Sequence, residues 1–179
     1  MMTPFPSKLS NFATMNNKKS ISVLFICLGN ICRSPAAEAV MKKVAADNGM
    51  DGWLHIESAA IGPWHVGDLP DSRMRRHAAR RGYTLDSRAQ QFNASFFQRF
   101  DVIVVMDEEN YQAVSRQARM ETDRHKIWRM KDYFVRFKGE TSVPDPYYGG
   151  DRDFEWALDL IEDGCQGLIL PLRQIQHQS

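Results

Sequence analysis

Hydrophobic positions along this chain fall into blocks of two different periods. Ser22 to Cys27 is a continuous apolar run of strand length, and Leu54 to Ala60 reads as a second strand. Asp101 punctuates the start of a third, Val102 to Met106, and Lys126 to Met130 makes a short fourth. Between them the period becomes helical. Pro35 to Asn48 carries Ala36, Val40 and Val44 at helix spacing and stops at Gly49, and Asp71 to Arg81 is an arginine-rich helix closed by Gly82. A helix is predicted from Glu108 to Arg119. The last runs from Asp151 to Gln174, with Phe154, Leu158, Ile161, Cys165 and Leu168 on one face.

Strands alternating with helices, the first strand apolar throughout, predict a parallel sheet covered on both faces. The expected fold is a single α/β domain of three layers, with four parallel strands, over residues 20–179. Residues 1–19 are polar, contain Pro4 and Pro6 and have no hydrophobic period, so they are expected to form a flexible extension. Ligands of such sheets bind beyond the carboxyl ends of the strands, and Cys27 stands at the carboxyl end of the first.

Composition narrows the class. The 179 residues are 43% hydrophobic and 25% charged, ordinary for one globular domain, and the net charge of +1 gives no global field for nucleic acid or an acidic membrane. Arg73, Arg75, Arg76, Arg80 and Arg81 lack interleaved aromatics and read as a solvated helix face. Three cysteines, Cys27, Cys32 and Cys165, cannot all pair, which favours functional thiols in a reducing compartment. Lys18-Lys19 before ISVLFICL, with Ala37-Glu38-Ala39 after it, faintly resembles a signal peptide, but Asn30 and Arg33 interrupt the pattern. With no apolar stretch long enough to span a bilayer, the expectation is a cytoplasmic protein without nucleic-acid or membrane partners.

The loop Cys27-Leu28-Gly29-Asn30-Ile31-Cys32-Arg33-Ser34 bridges a strand end and a helix start. Its backbone N–H groups and the unpaired donors of the following helix make an anion cradle. Gly29 and Asn30 tolerate the left-handed backbone that such a cradle needs. Arg33 brings a planar fork of donors that matches two phosphate oxygens. The same positive surroundings stabilise a thiolate, so Cys27 is expected to be a nucleophile near neutral pH, with Ser34 donating to its sulfur. Cys-x5-Arg alone is a weak signal; the flanking strand, helix and Gly-Asn pair strengthen it. No Gly-Lys-Ser/Thr and no G-x-G-x-x-G is present, and Cys27 with Cys32 lacks a second pair of zinc ligands. The plain alternative is a buried structural cysteine. Phosphoryl transfer from a phenol also needs an acid for the leaving oxygen, and Asp145 in VPDPYYGG is the candidate, against the alternative of a simple turn aspartate.

CLGNICRSP together with DPYYG closely resembles the low-molecular-weight protein tyrosine phosphatases, and the likeness extends through ESAAIGPW and VVMDEEN over some 155 residues. The resemblance implies a cysteinyl-phosphate intermediate, no metal and no cofactor, with phosphotyrosine-containing proteins as substrates and inorganic phosphate as product. It implies Cys27 as nucleophile, Arg33 as phosphate clamp and Asp145 as the acid that later activates water. Asn30 and Ser34 would shape the loop and support the thiolate, Ser58 and Asp107 would back it, and Gly29 and Cys32 complete it. Trp64, Tyr147 and Tyr148 would wall the substrate cleft above Leu28 and Ile31. Many relatives carry a histidine where this chain has Ser87, so the network behind the loop is expected to differ. His55, His65, His77, His125 and His177 share no spacing and read as structural or surface residues.

Other chemistry on a similar scaffold is disfavoured. Arsenate reductases of the thioredoxin-linked kind need downstream resolving cysteines, and only Cys165 follows the loop. Protein arginine phosphatases carry threonine where Ile31 stands, and a branched apolar side chain there suits an aromatic ring better. A noncatalytic phosphotyrosine-binding module would not need both Cys27 and Asp145. Finally, Cys32 lies five residues after Cys27 in a curled loop and is a candidate redox partner, which would make the enzyme redox-regulated; the alternative is that it only fills space.

Overall fold

The computed structural model describes residues 19–178, so the expected extension over residues 1–19 lies, except for Lys19, outside the described residues. Among these residues the chain forms β1 (Ile21–Cys27), α1 (Arg33–Asp47), β2 (Leu54–Ala60), α2 (Ser72–Arg80), α3 (Phe96–Arg99), β3 (Val102–Val105), α4 (Glu108–Gln117), α5 (Glu121–His125), β4 (Ile127–Arg129), a 3-10 turn (Met130–Tyr133) and α6 (Asp151–His177). All four strands run parallel in the order β2-β1-β3-β4. The apolar run of β1 is explained by its central place between β2 and β3, with both faces covered.

The pleat sorts alternate side chains into two cores. Ile21, Val23, Phe25 and Cys27 face one layer, where Val40, Met41 and Val44 of α1 meet Phe154, Leu158, Ile161, Cys165 and Leu168 of α6. Leu24 and Ile26 face the other, packed with Phe92, Phe96, Phe97, Phe100 and Val114. Phe92 meets Phe96 and Phe97 edge to face, at centroid distances of 5.5 and 5.4 Å, an arrangement that aligns positive ring edges with negative ring faces. Fully burying each such side chain contributes about 1.5–3 kcal/mol.

Several expected boundaries move by one to three residues, among them the start of α1, at Arg33 rather than Pro35, and the end of α4, at Gln117 rather than Arg119. Asp71 is the N-cap of α2 rather than its first residue, its carboxylate accepting from the Arg73 N–H. The final helix continues past Gln174 to His177 and accommodates Pro171. The short helices α3 and α5 and the 3-10 turn were not predicted, because four or five residues show no helical period. The solvated-face reading of α2 is corrected at both ends. Arg75, Arg76 and Arg80 are exposed, but Arg81 pairs with Glu155, Asp159 and Glu162 of α6, and Arg73 pairs with Asp71.

The last helix also fixes the segment that leads to Asp145. A Cβ on Gly167 would lie 1.7 Å from the Tyr133 carbonyl oxygen, so only glycine lets α6 approach that backbone. Buried Asp163 accepts N–H bonds from Val135, Arg136 and Phe137 at 3.0–3.1 Å. Val143 then donates to the Met106 carbonyl at the end of β3, at 2.9 Å. The chain arrives at Asp145 beside the carboxyl ends of β1 and β3.

Candidate active site

The loop from Cys27 to Ser34 leaves β1 and enters α1 within one tight curl. Asn30 holds it with φ of 57°, a left-handed backbone that asparagine tolerates better than most residues, although Gly29 stood as an equal candidate. The N-cap of α1 is Cys32, which makes no side-chain cap, so the first amides of the helix remain available to the loop. One of them, Ser34 N–H, points at Cys27 Sγ from 3.4 Å, and Ser34 Oγ lies 3.0 Å from the same sulfur.

Hydrogen-bond directions follow from Asn30. Its Oδ1 accepts from the Gln90 N–H at 3.1 Å, which fixes the amide orientation. Its two Nδ2 hydrogens then go to Ser34 Oγ at 2.8 Å and to Ser58 Oγ at 2.9 Å. Each serine is left with its own hydrogen to give, Ser34 to the Cys27 sulfur and Ser58 to Glu38 Oε1 at 2.8 Å. Ser87 makes none of these bonds. The network behind the loop is therefore closed by Gln90 and buried Glu38. Glu38 was not foreseen, although Ser34 and Glu38, one turn apart on an otherwise apolar helix face, are a readable sign.

Arg33 is 2% exposed, an unusual place for a guanidinium. Its Nη1 donates to Asp107 Oδ2 at 2.6 Å and to the Val143 carbonyl at 3.0 Å, while Nη2 lies 3.5 Å from Asp145 Oδ2. Burial alone would loosen its proton, but the facing Cys27 and the bond to Asp107 hold it more tightly than usual. Asp107 is itself locked as the N-cap of α4, accepting from the Asn110 N–H at 2.8 Å. Burial pushes the Cys32 thiol up, and the charges of Asp71, Cys27 and Asp145 add to that.

Above the loop opens a cleft of about 330 Å³ lined by Cys27, Leu28, Ile31, Cys32, Arg33, Asp145 and the aromatics Trp64, Tyr147 and Tyr148. Trp64 is 65% and Tyr148 96% exposed, so these rings are open to a partner rather than packed into the core. A Cβ on Gly62 would sit 1.9 Å from the Trp64 ring, which explains the glycine two residues before it. His65, read from sequence as a structural or surface residue, also lines this cleft, beside Gly29; its position next to Trp64 was the available signal for that place. His77 is structural: buried, stacked on Phe154 and held between Glu155 and Asp151 of α6. Among the described residues, no cluster of three or more His, Cys, Asp or Glu is arranged to hold a metal ion. No described helix is long and apolar enough to cross a membrane.

An anion cradle with a sulfur at its base and an aromatic cleft above it narrows the chemistry, and comparison decides the family. Residues 22–179 match the model of the low molecular weight phosphotyrosine protein phosphatases. The chain belongs to that family. It is 40% identical to the low molecular weight protein-tyrosine-phosphatase of Streptomyces coelicolor, covering 85% of this chain and 93% of the relative. It is 41% identical to the low molecular weight phosphotyrosine protein phosphatase of Sus scrofa, covering 85% and 96%. A crystal structure of a protein tyrosine phosphatase from Entamoeba histolytica, with Hepes in its active site, superposes with a TM-score of 0.84 at 43% identity, covering 88% of this chain and 99% of that one. An arginine phosphatase with a phosphorylated serine in its active site, at 21% identity and a TM-score of 0.77, shares the fold alone. As a member of this family, the chain is a phosphatase of the cysteine-based kind.

Proposed function

We propose that this protein hydrolyses phosphotyrosine in proteins, and small aryl phosphates, through a cysteinyl-phosphate intermediate. The observation that carries the reading is the convergence of Cys27 Sγ, the Arg33 fork and the Asp145 carboxylate on one aromatic-walled cleft. Cys27 thiolate attacks phosphorus and the bond to the phenol oxygen breaks, with Asp145 giving that oxygen its proton. Water then attacks phosphorus, Asp145 takes a proton from it, and the S–P bond breaks to release inorganic phosphate and the thiolate. Arg33 and the loop amides hold the equatorial oxygens in both steps. Trp64 and Tyr147 flank the ring above Leu28 and Ile31, while Asn30, Ser34, Ser58 and Asp107 keep the loop and Arg33 in place.

A panel of otherwise identical phosphopeptides tests the substrate class. Phosphotyrosine should be turned over, and phosphoserine and phosphoarginine should not, because the cleft offers apolar lining to a ring. Preference for phosphoarginine would overturn the reading. EDTA should leave the rate unchanged.

Cys32 serves in this proposal as the redox partner of Cys27. Both are free and buried, and the raised Cys32 thiol stays protonated, so the first oxidation falls on Cys27. Peroxide gives Cys27 a sulfenic hydroxyl; the Cys32 sulfur displaces it as water to form a disulfide. Peroxide is expected to inactivate the enzyme and dithiothreitol to restore it, with phosphate protecting. In Cys32→Ser, recovery should fail and mass spectrometry should find sulfinic acid at Cys27. Full recovery of that variant removes Cys32 from the role.

A further inference from the structure

Asp145 reaches the phosphate loop by a second route that avoids Arg33. Its Oδ1 accepts from the Tyr147 N–H at 3.1 Å, and the carbonyl of the same residue accepts from Arg73 Nη2 at 3.0 Å. The Arg73 guanidinium is forked onto Asp71, with Nε 3.1 Å from Oδ1 and Nη2 2.9 Å from Oδ2. The Asp71 N–H donates to the Ile31 carbonyl of the phosphate loop at 2.8 Å. Arg73 also lies over the rings of Phe154 and Tyr147, 4.8 and 5.5 Å from their centroids. The path runs from Ile31 through Asp71, Arg73 and Tyr147 to Asp145, and the Arg33–Asp145 contact closes it into a ring.

We propose that Arg73, held by Asp71, is a positioning residue for the general acid, setting the reach of Asp145 over the phosphate loop; this rests on the acid role proposed above for Asp145. Two properties of the geometry point to positioning rather than stability. The Arg73 guanidinium is more than one-third exposed, so water screens much of its attraction to Asp71 and the pair adds little to the fold. Its bond to the acid loop goes to a main-chain carbonyl, so it fixes the backbone of Tyr147 whatever the side chain there. Burial alone would raise the Asp71 carboxyl, but the Arg73 side chain and backbone N–H hold it below the usual aspartate range, so the partner of Arg73 stays charged. A planar fork is needed because Nε and Nη2 engage the two Asp71 oxygens side by side while Nη2 also serves the Tyr147 carbonyl.

The test measures kcat/KM, which reports the first chemical step, for aryl phosphates from 2,4-dinitrophenyl to phenyl phosphate. Protonation matters only for the more basic phenols. Arg73→Ala is expected to leave 2,4-dinitrophenyl phosphate nearly unchanged and to slow phenyl phosphate on the order of 10²-fold, as small misplacements of a catalytic group do. Its thermal midpoint should stay close to that of the wild type. Asp71→Asn, which keeps an oxygen for the N-cap and the N–H to Ile31, should show the same trend more weakly. Adding Arg73→Ala to Asp145→Asn should steepen the dependence no further, since Arg73 acts through Asp145. If Asp145→Asn is steep but Arg73→Ala loses activity equally for every leaving group, or not at all, the positioning role is wrong and the acid stands. If Asp145→Asn is itself flat, the acid role and this inference fall together.

Discussion

Cys27→Ser is expected to remove phosphatase activity, by a factor on the order of 10⁴–10⁶, the range that loss of a nucleophile or its orienting partner brings elsewhere. The substitution is nearly isosteric, so the loop should keep its shape. What changes is ionisation. Around the Cys27 sulfur stand the Ser34 N–H and the Ser34 hydroxyl, whose acceptor side is filled by Asn30. These are donors, suited to stabilising a sulfur anion, and none is a base that could take the proton of an alcohol. Steady-state hydrolysis of p-nitrophenyl phosphate by the variant measures the loss. Phosphate should still bind, since the substitution leaves its proposed donors, the loop amides and Arg33, in place. Substantial turnover by the serine variant would contradict the nucleophile assignment.

Arg33→Lys is expected to cost on the order of 10²–10³-fold in kcat/KM, comparable to losing a preorganised donor from an oxyanion site. The charge is kept, but the geometry is not. Arg33 spends Nη1 on Asp107 and the Val143 carbonyl and has its other edge for the phosphate. A single ammonium cannot serve the Asp107 cap, the Val143 carbonyl and two phosphate oxygens at once. Leaving Asp107 or Val143 without its partner also loosens the start of α4 and the segment before Asp145. Inhibition by inorganic phosphate should weaken together with kcat/KM. A lysine variant with wild-type kcat/KM would show that charge alone suffices.

Much of this was legible because burial writes a period into a sequence. The apolar run of β1 announced a sheet covered on both faces, and the face of Phe154, Leu158, Ile161, Cys165 and Leu168 is buried as its spacing implied. The loop was legible for a different reason: Cys27, Asn30 and Arg33 are residue types with few other uses in that order between a strand and a helix. Partner choice was not legible. Arg73 and Arg81 look like Arg75 and Arg80 in sequence, and only the arrival of α6 and the Tyr147 carbonyl separates paired from solvated arginines. Glu38, Gln90 and Asp163 escaped for the same reason, since each pairs with a group distant along the chain: the Ser58 hydroxyl, the Asn30 amide oxygen and the Val135 N–H. The place of His65 on the cleft was not legible because the loop from Gly62 to Gly67 carries no period to say which side faces it.

The central claim is a covalent bond between Cys27 and phosphorus, and Asp145→Asn offers the way to see it. With 2,4-dinitrophenyl phosphate the intermediate forms without an acid, while its hydrolysis lacks the group that draws a proton from water. Acid quenching during turnover, followed by peptide mass spectrometry, should find one phosphoryl group on the peptide containing Cys27, and none in the Cys27→Ser, Asp145→Asn double variant. Phosphate release by Asp145→Asn with no phosphoryl group on Cys27 at any quench time, or with the group on another residue, would contradict the account.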